Sequence, residues 1–250
     1  MQVASAFFLL GIFLASHAVA EEGLSNRIQG DLGVFLDAEQ SAMRGEPTNP
    51  LLLPYTYFDY GRMFTRIDTF GIKTLPIAYG YLEIVGRIKL DGYKTAGNAA
   101  LSGINGRQNS LPLGLGTFQL TPIGGFFLYA FHDINRSHGN MLEATYAAQI
   151  KLGEAALYPQ AGFEYFSGKY MQYYYGVSAA EAAASGYAAY TPTAATNPFF
   201  CMMVEVPVTE GWIANFYARR KWLGSAVTSS PLVNRKTQDS GFVTVAFRFK

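Results

Sequence analysis

The residues best suited to chemistry stand together in one short run, His132-Asp133-Ile134-Asn135-Arg136-Ser137-His138. A serine, two histidines and an aspartate are the residue types of a hydrolytic triad, in which a base activates the nucleophile and a third group orients the base. Their spacing argues against that use. Ser137 and His138 are neighbours in a short polar turn, and side chains of adjacent residues diverge wherever the backbone is extended. Two histidines with scattered carboxylates also lack the ligand spacing of a metal centre. Gly114-Leu115-Gly116 falls inside a strand pattern, so it is no phosphate-cradling loop. Cys201 is the single cysteine and cannot form an internal disulfide. The expectation is a protein without catalysis, cofactor or metal.

Composition narrows the class further. Lys and Arg number 19 against 18 Asp and Glu, a net charge of +1, which gives no electrostatic case for nucleic acid. Hydrophobic residues make up 50% of the chain while charged residues and aromatics are each 15%. Few charges beside many Tyr and Phe suit a surface that meets lipid. Residues 1–20 read as a cleaved export signal: an apolar run from Phe7 to Ala15, then Ala18-Val19-Ala20 before Glu21. No later stretch reaches about 18 uninterrupted apolar residues, so any membrane crossing is made by strands. Residues 21–250 are expected to form one domain.

The elements that must position these side chains are announced by a period of two. In the stretch from Ile77 to Asp91, the residues Ala78, Gly80, Leu82, Ile84, Gly86, Ile88 and Leu90 are small or apolar, while Glu83, Arg87, Lys89 and Asp91 alternate with them. One face of such a strand is greasy and the other charged. Similar alternation runs from Ile28 to Ala38, Leu51 to Tyr60, Met63 to Ile72, Leu111 to Thr121 and Gly124 to Ile134. It continues from Met141 to Leu152, Ala155 to Ser167, Phe199 to Val208, Trp212 to Leu223 and Phe242 to Phe249. Near Thr117 the alternation slips, which predicts a bulge. Long polar loops alternate with tight turns such as Gly153-Glu154 and Thr209-Glu210-Gly211, the habit of an outer-membrane barrel.

This reading predicts an all-β protein, an antiparallel transmembrane β-barrel of ten to twelve strands. Eleven segments are counted, and a closed barrel of this kind has an even number. Fusing Leu51–Ile72 gives ten; splitting one segment, or promoting part of the loop from Gly92 to Ser110, gives twelve. A soluble lipocalin-like barrel is the competing fold, with the charged face outward.

One long loop, Lys169 to Asn197, carries a helix signature. Ser178 followed by Glu181 fits a capping box, Ala179 to Ala184 the helix and Gly186 its stop. Tyr173, Tyr174, Tyr175 and Tyr190 are expected to cover it. The run Tyr170 to Pro192, Y-M-Q-Y-Y-Y-G-V-S-A-A-E-A-A-A-S-G-Y-A-A-Y-T-P, resembles the signature of the MipA/OmpV outer-membrane proteins. Ser229 to Val233 and the final strand extend the likeness over the whole mature chain. The family usually ends on an aromatic residue, whereas here Phe249 is followed by Lys250.

The resemblance implies residence in the outer membrane of a Gram-negative bacterium, in contact with its lipid. It also implies a scaffold joining a periplasmic lytic transglycosylase, MltA, to a murein synthase. A narrow pore for small solutes is the alternative, since ten to twelve strands fall between filled barrels and water-filled porins. Strand parity places Glu83, Arg87, Lys89, Glu143 and Lys151 on the inward face in either case.

Overall fold

The computed structural model describes residues 24–249. The expected signal peptide and the terminal Lys250 lie outside the described residues. Thirteen strand segments form one antiparallel sheet closed on itself: β1 Gln29–Glu39, β2 Leu51–Tyr60, β3 Met63–Arg66, β4 Thr69–Ile77, β5 Gly80–Arg87, β6 Pro112–Thr121 and β7 Gly124–Asp133, followed by β8 Asn140–Ala147, β9 Ile150–Leu152, β10 Ala155–Phe166, β11 Ala195–Thr209, β12 Trp212–Trp222 and β13 Thr237–Phe249. β8 and β9 are two halves of one staircase position, in the same register against β10. They part opposite Pro159, which has no N–H to give the ladder. The wall therefore has twelve strands, closed where β13 pairs with β1 from Gly30↔Phe249 to Glu39↔Ser240.

The greasy face of each strand points outward. Leu32, Val34 and Leu36 on β1, Leu113 and Leu115 on β6, and Val243 and Val245 on β13 are all exposed, as a lipid-facing belt requires. Strands of 10–13 residues match the roughly 9–11 needed to cross a bilayer at a tilt. Trp212 and Phe247 meet edge to face at 5.6 Å beside the turn Glu210-Gly211, part of an aromatic girdle at the short-turn end. Short turns mark the periplasmic side and long connections the outside.

Two strands differ from the expectation. Ile77 to Asp91 is not one strand: Ile77 ends β4, Ala78-Tyr79 turn, and β5 runs from Gly80 to Arg87. Met63 to Ile72 is likewise split at Ile67-Asp68 into β3 and β4. Both turns place a non-glycine residue at positive φ, Ala78 at 45° and Ile67 at 62°, where Gly, Asn or Asp is the usual occupant. No turn signal marks them in the chain. β6 and β7 pair without interruption from Pro112↔Asp133 to Thr121↔Gly124, so there is no bulge at Thr117. The irregularities fall instead between Lys73 and Pro76 and between Pro207 and Thr209.

β3 is only four residues long. It pairs with β2 from Tyr57 to Tyr60, and the Ile67 N–H reaches the Thr56 carbonyl as the last bond. Leu51 to Tyr55 thus have ladder partners on the β1 side alone.

Candidate functional site

The outer end of the barrel is closed by its own loops. α1, Gly168–Tyr175, and α2, Ala179–Ser185, stand in the expected long loop, and α3, Ser225–Thr228, in the connection before β13. α2 has the predicted cap: Ser178 Oγ accepts from the Glu181 N–H, Glu181 accepts from the Ser178 N–H, and Gly186 adopts the left-handed stop at φ 77°. α1 lies in the Tyr-rich run expected only as cover. Tyr170, Met171 and Tyr174 of α1 pack with Met43, Tyr93, Leu101, Ile104, Val227, Leu232 and Val233 from three other connections, making an apolar dome over the strands.

Polar clips tie the dome together. Arg107 Nη2 donates to Glu181 Oε1 at 2.8 Å, and the Asn105 N–H donates to the same carboxylate. Arg107 Nε also donates to the Tyr173 carbonyl. Burial disfavours charge on Glu181, yet the Ser178 backbone, the Arg107 guanidinium and the Ser178 hydroxyl together lower its pKa to about 2. Burial pushes the Tyr93 phenol up to about 12. The Tyr170 hydroxyl donates to Asp91 Oδ2 beneath the dome. Burial and that carboxylate raise its pKa well above the ordinary phenol range. On the rim, an open groove of about 510 Å³ runs between Arg136, Ser137 and the α1 residues Lys169 and Gln172.

The His132–His138 run makes no triad. Asp133 is fully buried and accepts from Ser137 N–H and Oγ, a local turn bond. His132 lies on the opposite, exposed face and contacts Asn140 Oδ1 through Nδ1. Ser137 therefore bonds to the carboxylate rather than to an imidazole.

Of the residues placed inward by parity, Arg87 and Glu143 meet in the barrel interior. Arg87 Nη1 donates to Glu143 Oε2 at 2.6 Å, its Nε donates to Thr69 Oγ1, and Asp68 lies 3.6 Å away. Glu83 is 2% exposed. Lys89 stands beyond the end of β5, 5.5 Å from the Phe166 ring centre and 3.9 Å from Asp91. Lys151 is exposed in β9 and makes no ion pair among the described residues. Parity could not reveal the partners contributed by distant strands. Arg219 and Lys221 on β12 bind Glu164 on β10, and Arg248 on β13 bridges Asp31 and Glu205. Near the inner end, Asp59 binds Arg66 and Lys73, each at 2.9 Å.

Residues 32–249 match the profile of the MltA-interacting protein MipA. The chain belongs to the MipA family. It is 24% identical to the MltA-interacting protein of Escherichia coli (strain K12), over 63% of this chain and 63% of that protein. Outer membrane protein Omp26La of Vibrio anguillarum is 31% identical over 60% of this chain and 58% of its own length. A protein of Escherichia coli (strain K12) designated YiaT is 22% identical over 87% and 90%. Among solved structures, the outer membrane channel DcaP of Acinetobacter baumannii matches with a TM-score of 0.27 at 9% identity, covering 89% of this chain and 96% of that one. This MipA-family member is an outer-membrane protein with a lipid-facing barrel.

Proposed function

We propose that this barrel serves as a membrane-embedded docking protein for murein-remodelling enzymes, a lytic transglycosylase and a murein synthase, acting from the periplasm. Relatives named MltA-interacting protein supply the partner class. The observation that carries the reading is the sealed outer end. Side chains that face inward there, among them Val85, Phe131, Met141 and Phe199, are buried, and the helical dome covers them. A barrel so closed offers solutes no path and leaves its inner face for contact. Because interfaces that hold bury about 800 Å² per partner, the docking surface draws on several periplasmic turns together. Residues 1–20 act as the export signal of this single barrel in the same proposal.

The narrow-pore reading has one support, the part-exposed interior at the periplasmic end; it requires the dome to move aside. Conductance of refolded protein in a planar bilayer separates the two, with a heat-shifted gel band verifying the folded barrel. The expected result is an electrically silent barrel that retains a lytic transglycosylase in a pull-down. Discrete current steps altered by Glu83→Ala would establish the pore instead.

A further inference from the structure

The open groove on the outer rim brings together two cations that no carboxylate answers. About 510 Å³ in volume, it is lined by Arg136 and Ser137 from the connection between β7 and β8, by Lys169 and Gln172 of α1, and by Pro192 ahead of β11. Arg136 and Lys169 are exposed, and among the described residues neither side chain has an ion-pair or hydrogen-bond partner. Other cations at this end are matched, Arg107 to Glu181 and Arg220 to Asp239. The three stretches that supply the lining, residues 134–139, 168–175 and 186–194, contain no Asp or Glu.

Local structure holds the two cations on one groove. Buried Asp133 accepts from the Leu111, Asn135 and Ser137 N–H groups and from the Ser137 hydroxyl. Its charge is thus met within the loop, and the Ser137 proton is spent there. Gly139 brings that loop against α1: a Cβ at this position would sit 2.5 Å from the Tyr170 backbone N. The Asn140 N–H donates to Ser167 Oγ and the Ser167 N–H to the Asn140 carbonyl, clasping the start of β8 to the start of α1. Arg136 and Lys169 therefore stem from two segments in backbone contact.

Their chemistry calls for an anion, because Arg and Lys donate and cannot accept. A phosphate monoester carries about −1.5 to −2 charges at pH 7 and three acceptor oxygens, so it answers both cations where a carboxylate answers one. The guanidinium fork also fits phosphate in the bidentate manner. The rim position defines the rest of the ligand. On the strands that run up into the groove, Leu142, Phe163 and Phe200 face the lipid, two, three and five residues from the outer ends of β8, β10 and β11. An anion held in the groove stands over this apolar strip, and a molecule with a charged head and acyl chains fills both. Basic pockets at a membrane boundary hold anionic lipid headgroups in this way.

We propose that the outer rim groove binds an outer-leaflet lipid whose headgroup carries a phosphate monoester, with Arg136 and Lys169 on the phosphate and the acyl chains along Leu142, Phe163 and Phe200. The site lies at the opposite end of the barrel from the periplasmic docking surface and goes beyond that reading. The test is native mass spectrometry of the full refolded protein in non-ionic detergent, titrated with lipid A bearing both phosphates. A first bound copy at a defined half-saturating concentration is expected. That concentration rises about tenfold for lipid A stripped of its phosphates, and about five- to tenfold for Arg136→Gln or Lys169→Gln. Lys151→Gln, the same loss of charge at the periplasmic end, leaves it unchanged. Both groove positions are exposed, so the heat-shifted band of a folded barrel is retained; if one variant lacks it, the other decides. Equal binding of the stripped lipid, which means contact of acyl chains alone, would overturn the proposal. So would a loss with Lys151→Gln as large as with Lys169→Gln, which means net charge alone, or displacement of lipid A by equimolar inorganic phosphate, which means a site for the free anion.

Discussion

Arg87 shows what keeps a cation inside a lipid-embedded wall. Its guanidinium is engaged by Glu143, Thr69 and Asp68, but these partners are unequal. The Glu143 side chain is 17% exposed and close, that of Asp68 53% exposed and farther. Breaking a buried pair strands the remaining charge at about 3–5 kcal/mol, whereas an exposed pair contributes about 0–1 kcal/mol. Glu143→Ala is therefore expected to destabilise the barrel by about 3 kcal/mol or more and Asp68→Ala by less than about 1 kcal/mol, both read from urea unfolding in micelles. Glu181 gives the dome a different sensitivity. Its carboxyl is held at about 2 against an ordinary 4.5, so its contribution is complete above about 4.5, declines as pH falls and is gone near 2. Proteolytic nicking of the loops is expected to rise over that acid window in the wild type, while Glu181→Gln is already susceptible at neutral pH and shows a smaller acid change. In the structure Glu83 and Arg87 are buried and Glu143 is half-buried. Parity carries no information on height along the barrel, and Lys89 and Lys151 stand at opposite ends with no shared site.

The strands themselves were legible wherever lipid and interior divide the side chains between two faces. Hairpins with Gly at the turn, such as Gly153-Glu154, were legible too, because the turn residue declares the positive φ that the backbone adopts there. Ala78 and Ile67 declare nothing, and two hairpins vanished into apparent long strands. Positive φ costs an L-residue about 1–2 kcal/mol, and glycine in the unfolded chain returns about 0.4–1 kcal/mol of that. Ala78→Gly is thus expected to stabilise the protein by about 0.5–1 kcal/mol, seen as a higher urea midpoint at unchanged slope. α2 was readable from its capping box. α1 was not: Ser167 makes no side-chain cap bond and no acidic residue sits in the first turn. Packing of Tyr170, Met171 and Tyr174 into the dome supports that helix, and only the assembled loops provide it.

As a whole molecule, the protein is built with opposite ends. Apolar packing and the Arg107–Glu181 ion pair between loops close the outside, while towards the periplasm the inward Tyr57, Tyr81, Phe118, Phe127 and Tyr158 are part-exposed. The closure was invisible in the chain because its members come from four separate connections. Along the circumference, the four-residue β3 leaves Leu51 to Tyr55 of β2 paired on one side alone. In mechanical terms the wall is a hoop notched from its outer rim to about half its height. A notched hoop does not flex evenly: strain gathers at the tip of the cut, here the two-residue bend Ile67-Asp68, and the ring ovalises about that line. Lateral pressure from the surrounding lipid would be felt first there, while the wall from β5 to β7, inside an unbroken ladder, holds its shape.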